Sequence, residues 1–116
     1  MALIIDHYSF GQITINGQKY TSDVIISQDS VDPSWRRKNG HELCAADLNE
    51  KWKEKPEILV IGTGSDGCVV ILQEIRDYLK GQDIELMEQK TQFACQAYNK
   101  LIQSGKKVVV ALHLTC

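Results

Sequence analysis

No run of apolar residues in this chain approaches the ~20 that a bilayer-spanning helix needs. Basic charge is not in excess either: 13 lysines and arginines stand against 15 acidic residues, a formal net charge of −2. That balance excludes the footprint expected of a nucleic-acid binder, a strong positive surplus gathered on one face. The opening Met1-Ala2-Leu3-Ile4-Ile5 is too short and lacks the positive flank of a secretion signal, and Asp6 argues against an arginine-rich presequence. A soluble, cytoplasmic protein is the expectation. Cys44, Cys68, Cys95 and Cys116 lie more than twenty residues apart and form no C-x-x-C pair. Zinc sites bring ligands close in sequence and disulfide scaffolds pack cysteines densely, so the thiols are read as reduced, and no metal or cofactor is expected.

What is present suits one globular domain over residues 1–116. At 116 residues with 43% apolar content, a chain buries roughly 65% of the surface it would expose unfolded. Residues 1–43 read as a β-hairpin region and a long loop. Ile13 and Ile15 alternate with polar neighbours, Asn16-Gly17 follows, and Tyr20 resumes the alternation, the pattern of a two-residue hairpin turn. Val24-Ile25-Ile26 reads as a short buried strand. From Ser27 to His41 the sequence turns polar, a surface loop holding Trp35 beside Arg36, Arg37 and Lys38. That group suits either a partner-binding patch or a tryptophan that pins the loop to the core.

Residues 44–116 read as a helix followed by a β-α-β-α-β unit. Ala45, Leu48 and Trp52 share one helical face, Lys51, Lys53 and Lys55 suit its carboxyl end, and Pro56 stops it. Glu57 to Ile61 is a buried strand that ends abruptly in Gly62-Thr63-Gly64-Ser65-Asp66-Gly67. Cys68, Ile71, Leu72, Ile75, Tyr78 and Leu79 recur at helical spacing, which predicts a helix starting at that turn, capped by Ser65 or Asp66 and closed by Gly81. Ile84 to Met87 follows as a strand. Thr91 is expected to cap a second helix with Ala94, Ala97, Tyr98, Leu101 and Ile102 buried, and Gly105 to end it. Val108 to Leu112 is nearly all apolar, as in a strand covered on both faces. Short strand–helix connections of this kind predict a layered α/β domain.

The glycine turn is the leading candidate site, because backbone N–H groups at a helix N-terminus favour anions. Gly62, Gly64 and Gly67 satisfy G-x-G-x-x-G, with Asp83, Glu85 and Glu88 following. A truncated dinucleotide site holding NAD or a flavin is one reading, and a tight packing turn is the plainer one. No G-K-[ST] follows, which excludes a P-loop, and Thr63 breaks the G-x-S-x-G elbow that would make Ser65 a nucleophile. His113 and Cys116 fall near one another, but residues three apart on a strand face opposite ways, so a thiolate with its base is not expected. Thr91 and Asn99 are a helix cap and a solvated amide, or else polar groups facing the strand ends.

Taken together, Phe10-Gly11, the hairpin into Tyr20, Trp35, Pro56-Glu57, Gly62-Thr63-Gly64, Thr91…Ala94…Tyr98-Asn99 and the closing His113-Leu114-Thr115-Cys116 resemble a known family. It is the small domain of unknown function shared by the adipogenesis-associated protein of animals, a mitochondrial complex I assembly factor and short bacterial and archaeal proteins. The resemblance spans essentially the whole chain. It implies a compact three-layer α/β fold with a mixed central sheet and no established reaction, and for the assembly-factor branch it implies binding to another protein. Gly62, Gly64, Thr91, Asn99 and His113 carry over as candidate pocket residues. Two functions are expected from these observations. One is a non-catalytic binding or assembly module with a protein partner. The other is an enzyme or sensor holding a small anionic metabolite on Gly62, Thr63, Gly64 and Ser65, with Thr91, Asn99 or His113 in support.

Overall fold

The computed structural model describes residues 3–27, 30–33, 35, 42–43 and 56–115. The expected helix through Ala45, Leu48 and Trp52, its lysines, the basic trio Arg36-Arg37-Lys38, Cys44 and Cys116 lie outside the described residues. Three strands open the chain: β1 (Ile5–Ser9), β2 (Gln12–Ile15) and β3 (Gln18–Tyr20), paired in that order as an antiparallel sheet. Asn16 and Gly17 both take positive φ, 47° and 81°, as the hairpin turn between β2 and β3 demands.

A second sheet of five strands forms the centre. Its members are β4 (Val24–Ser27), β5 (Ser30–Asp32), β7 (Ile58–Gly62), β9 (Glu85–Gln89) and β10 (Val108–Leu112), in the order β5-β4-β10-β7-β9. β10 runs parallel to β7 and antiparallel to β4, so the sheet is mixed. β5 corrects the expectation of a loop from Ser27 onward. Ser30 and Asp32 flank Val31 on a strand that, among the described residues, pairs only with β4, and at a sheet edge polar side chains reach water.

Between β7 and β9 the structure departs from the expected helix start. Gly67 adopts φ 74°, and the β-branched Val70-Ile71 that follows forms a strand. β8 (Val70–Ile71) pairs in parallel with β6 (Glu42–Leu43). Helix α1 begins only at Gln73 and runs to Gly81, its N-cap is Leu72 with no side-chain cap, and Ser65 and Asp66 cap nothing there. Gly81 is the last helical residue, and Asp83 takes the left-handed conformation instead, φ 57°. Helix α2 spans Thr91–Gln103. Its N-cap is Lys90 and not Thr91, whose hydroxyl is used elsewhere. Gly105, at φ 80°, closes it as expected.

Alternation along the central strands divides the apolar side chains between two cores. Ile58, Val60, Val108, Val110, Leu112, Val24 and Ile26 face α2 and the three-stranded sheet, joined by Ala94, Cys95 and Tyr98. Leu59, Ile61, Val109, Ala111 and Ile25 face the opposite way, against Ile75 and Leu79 of α1 and Trp35. Three layers result. Trp35, 5% exposed, is buried in the second core.

Candidate functional site

Parallel strands β7 and β9 are neighbours, yet the helix that follows β7 lies on one face of the sheet and the helix that follows β9 lies on the other. Right-handed crossovers leading in opposite directions produce that split. In open α/β sheets such a switch point opens a crevice outside the carboxyl ends of the strands, where ligands sit. The expected site residues Gly62, Thr63, Gly64, Thr91 and His113 gather at this place. Here the chain fills the crevice with its own atoms.

Gly62 allows the closest approach. A Cβ there would stand 2.7 Å from Leu112 Cδ2, 2.9 Å from Thr91 Oγ1 and 3.1 Å from Thr91 Cα. Thr91 is fully buried, its hydroxyl donates to the His113 carbonyl at 2.6 Å, and it accepts the Gly64 N–H at 2.9 Å. The Thr91 N–H returns to the Gly64 carbonyl at 3.1 Å, and the His113 N–H donates to the Gly62 carbonyl at 3.0 Å. Thr63 donates to the Gln89 carbonyl through both its N–H, 2.9 Å, and its hydroxyl, 3.1 Å. Ser65 donates its N–H to the Thr115 carbonyl at 2.7 Å. One threonine hydroxyl thus couples the ends of β7 and β10 and the start of α2, and the amides expected to greet an anion are donated internally.

Beside this hub stands a second polar line that sequence spacing does not disclose. His113, 6% exposed, meets Asp23 through Nδ1, 2.7 Å from Oδ2, and Thr115 Oγ1 lies 3.3 Å from its Nε2. Asp23 also accepts the Leu114 N–H at 2.8 Å. Carboxylate, imidazole and hydroxyl in this order are the components of acyl-transfer chemistry. Here, however, the nearby Ser65 amide is committed to Thr115's own carbonyl, and Asp23 is shared with the backbone, so the arrangement locks the end of β10. Tyr8 and Gly11 complete the lock: the phenol and the Gly11 N–H both donate to the Leu114 carbonyl, at 3.0 and 2.9 Å. Burial, followed by the neighbouring Cys95, raises the Tyr8 phenol above its ordinary range, while a hydrogen bond with Ser65 opposes the rise. Among the described residues no cluster of histidine, cysteine and carboxylate side chains is arranged to hold a metal ion.

Asn99 stands apart from these residues. Its amide accepts the Ile5 N–H at 3.0 Å and donates to the Ile5 carbonyl at 2.8 Å, standing in for a neighbouring strand on β1. Tyr98 next to it donates to the Leu3 carbonyl at 2.7 Å.

A separate opening lies on the outer face of α2. Gln89, Lys90, Phe93, Gln96, Ala97 and Lys100 line a groove of about 510 Å³ between the outer face of α2 and the end of β9. Phe93 among them is 50% exposed. Its signal in the sequence is its place: it falls beside the stripe of Ala94, Tyr98 and Leu101 and not on it, an apolar side chain on the polar face of an amphipathic helix.

Solved structures share this architecture along nearly their whole length. MT938 is 26% identical, with a TM-score of 0.84 over 99% of this chain and 100% of its own. The conserved hypothetical protein PH1505 from Pyrococcus horikoshii is 24% identical, with a TM-score of 0.85 over 97% and 98%. A Bordetella pertussis protein described as a Mth938-like domain is 19% identical, with a TM-score of 0.68 over 97% and 85%. The last two likenesses show the fold. A family model for proteins of unknown function, DUF498/DUF598, matches residues 5–113. The chain belongs to the DUF498/DUF598 family.

Proposed function

We propose that this domain is a non-catalytic binding or assembly module that works through protein contacts in the cytoplasm. The observation that carries this reading is Phe93, a large apolar side chain half in water in the lining of a groove. Aromatic anchors in apolar depressions with polar rims are where interface energy concentrates. Lys90, Lys100, Gln89 and Gln96 supply such a rim. No described helix is long and apolar enough to cross a membrane.

Affinity capture from native extract with the unaltered chain and with Phe93→Asp, followed by mass spectrometry, tests the reading. A reproducible set of proteins lost from the variant is the expected result. Identical sets from both, or no reproducible partner, would overturn it. A small anionic metabolite held by Gly62, Thr63, Gly64 and Ser65 is the second proposal, supported by the position of these residues at the switch point. It is the weaker one, because the Gly64 and Ser65 amides would have to leave Thr91 and Thr115 first. A thermal-shift series with inorganic phosphate and nucleotides decides it, and an unchanged melting temperature counts against it.

A further inference from the structure

The groove beside α2 borders β9 at Gln89. Among the described residues β9 pairs on one side only, with β7. Glu85 donates its N–H to the Glu57 carbonyl at 3.1 Å, and the Gln89 carbonyl accepts from Thr63 at 2.9 Å, so residues 85, 87 and 89 face β7. Main-chain groups alternate along a parallel ladder, which leaves those of Leu86 and Glu88 directed outward.

The other edges of the two larger sheets are guarded. β5 has three residues and runs into Pro33. β3 also has three, with Lys19 at its centre. β1 is bulged between Ile5 and His7, and Asn99 occupies the main-chain groups of Ile5. Shortness, lysine, proline, bulges and covering side chains are the means by which native sheets avoid adding a foreign strand. β9 is five residues long, without proline, lysine or irregularity in its pairing, and of its two carboxylates, Glu85 and Glu88, the second is already paired with Arg76 of α1.

Resting on the protein-binding reading above, we infer that β9 and its groove receive a second copy of this chain, the two β9 strands pairing antiparallel about a two-fold axis at Met87. Charge selects both the occupant and the register. Centring the axis on Glu88 would set two glutamates directly opposite, which is unfavourable. Centring it on Met87 sets Glu88 opposite Leu86 of the second copy, so the outward groups of both residues form hydrogen-bonded pairs, and Met87 meets Met87 at the non-hydrogen-bonded position between. Glu85 of the second copy then falls opposite Gln89, next to Lys90, which carries no ion pair among the described residues. The surface is thus complementary to itself, as an isologous interface must be. Helix α2 packs over β7, so the α2 axes of the two copies stand three strand spacings apart, about 14 Å. That exceeds direct helix contact by about 4 Å, and the two Phe93 rings fill the difference.

Sedimentation of the full chain from about 1 µM to about 500 µM reads the association directly. The expected result is a concentration-dependent shift to twice the monomer mass. Glu88→Pro removes an outward N–H together with the exposed ion pair to Arg76, a surface pair that adds little to the fold, and should raise the dissociation constant at least about tenfold while leaving the circular dichroism spectrum unchanged. Met87→Cys provides a readout that does not depend on the stability of that variant. In the stated register its two copies stand about 4.5 Å apart at Cα, within disulfide reach, and should crosslink on mild oxidation. Glu85→Cys, four residues off the axis from its mate, should give no more crosslinked product than the unaltered chain. A monomer throughout the range, a dimer untouched by Glu88→Pro, or stronger crosslinking by Glu85→Cys than by Met87→Cys would each overturn the inference. A monomer that still captures protein through Phe93 would leave the binding reading standing with another chain on the edge.

Discussion

At the scale of single residues, Gly62 and Thr91 carry the most consequence per atom. The 2.7 Å and 2.9 Å approaches at Gly62 involve a packed leucine and the hub hydroxyl, neither of which has room to retreat. Gly62→Ala should therefore cost about 1–3 kcal/mol of stability, read from urea denaturation. Thr91→Val keeps the side-chain shape but strands the Gly64 N–H and the His113 carbonyl in a dry interior. A loss of about 3 kcal/mol is expected, whereas Thr91→Ser, which keeps the hydroxyl and drops one methyl, should lose only about 1 kcal/mol. If the two Thr91 variants proved equally stable, the hydroxyl would not be the coupling atom. The family resemblance points Gly62, Gly64, Thr91, Asn99 and His113 to one site, and the structure gathers four of them at one end of the sheet while Asn99 bonds to β1. Sequence spacing gives no sign of Asp23, because 90 residues separate that carboxylate from the imidazole it meets.

At the scale of elements, α2 is the joint of the molecule. Its Tyr98 holds Leu3 just ahead of β1, its Asn99 holds Ile5 of β1, and its Ala94 and Cys95 close the first core. Asn99→Ala should free the Ile5 main chain, cost about 1–3 kcal/mol and speed amide exchange along β1 ahead of the central sheet. Burial on the same helix also ties stability to pH. Desolvation pushes the Cys95 thiol from 9.0 up to about 12 and the Tyr98 phenol from 10.0 up to about 12. Below the ordinary values both groups stay protonated in either state, and their contribution is complete. Above them the unfolded chain loses protons that the native chain keeps, so stability must fall as pH climbs from about 9 toward 12. Urea midpoints at about pH 8 and about pH 11 should show the decline, and Cys95→Ala should lessen it. The elements most legible in the sequence were those whose signals are local: the Asn16-Gly17 turn, the buried run Val108–Leu112 and the stripe of α2. β8 was hidden because its partner, Glu42–Leu43, lies far away in sequence, while the spacing of Cys68, Ile71, Leu72 and Ile75 imitates a helix. The same imitation sets the expected start of α1 at the glycine turn, ahead of Gln73 where the helix begins.

For the whole molecule, both cores meet across one strand that the chain delivers late. All five residues of β10 are buried, and it lies between β4 and β7, with Ala111 opposite Ile25 and Ile61. Neither core closes until the two ends of the sequence have met, and pairings of such long separation place folding toward the slower, millisecond-to-second range. Ending the chain after Lys107 would strip the central sheet of its middle member. It would also expose the apolar faces of β4 and β7 and remove from the first core Val108, Val110 and Leu112. The truncated chain should therefore lack a cooperative unfolding transition and show collapsed amide dispersion in its proton spectrum. Ending the chain after Leu114 removes far less. The carbonyl that accepts from Ser65 and the hydroxyl beside His113 go, while every strand remains. That shorter truncation should unfold cooperatively at a lower midpoint. A cooperative transition in the chain ending at Lys107 would mean that β4 and β7 can close a core without β10, and the two-core account of this fold would have to be abandoned.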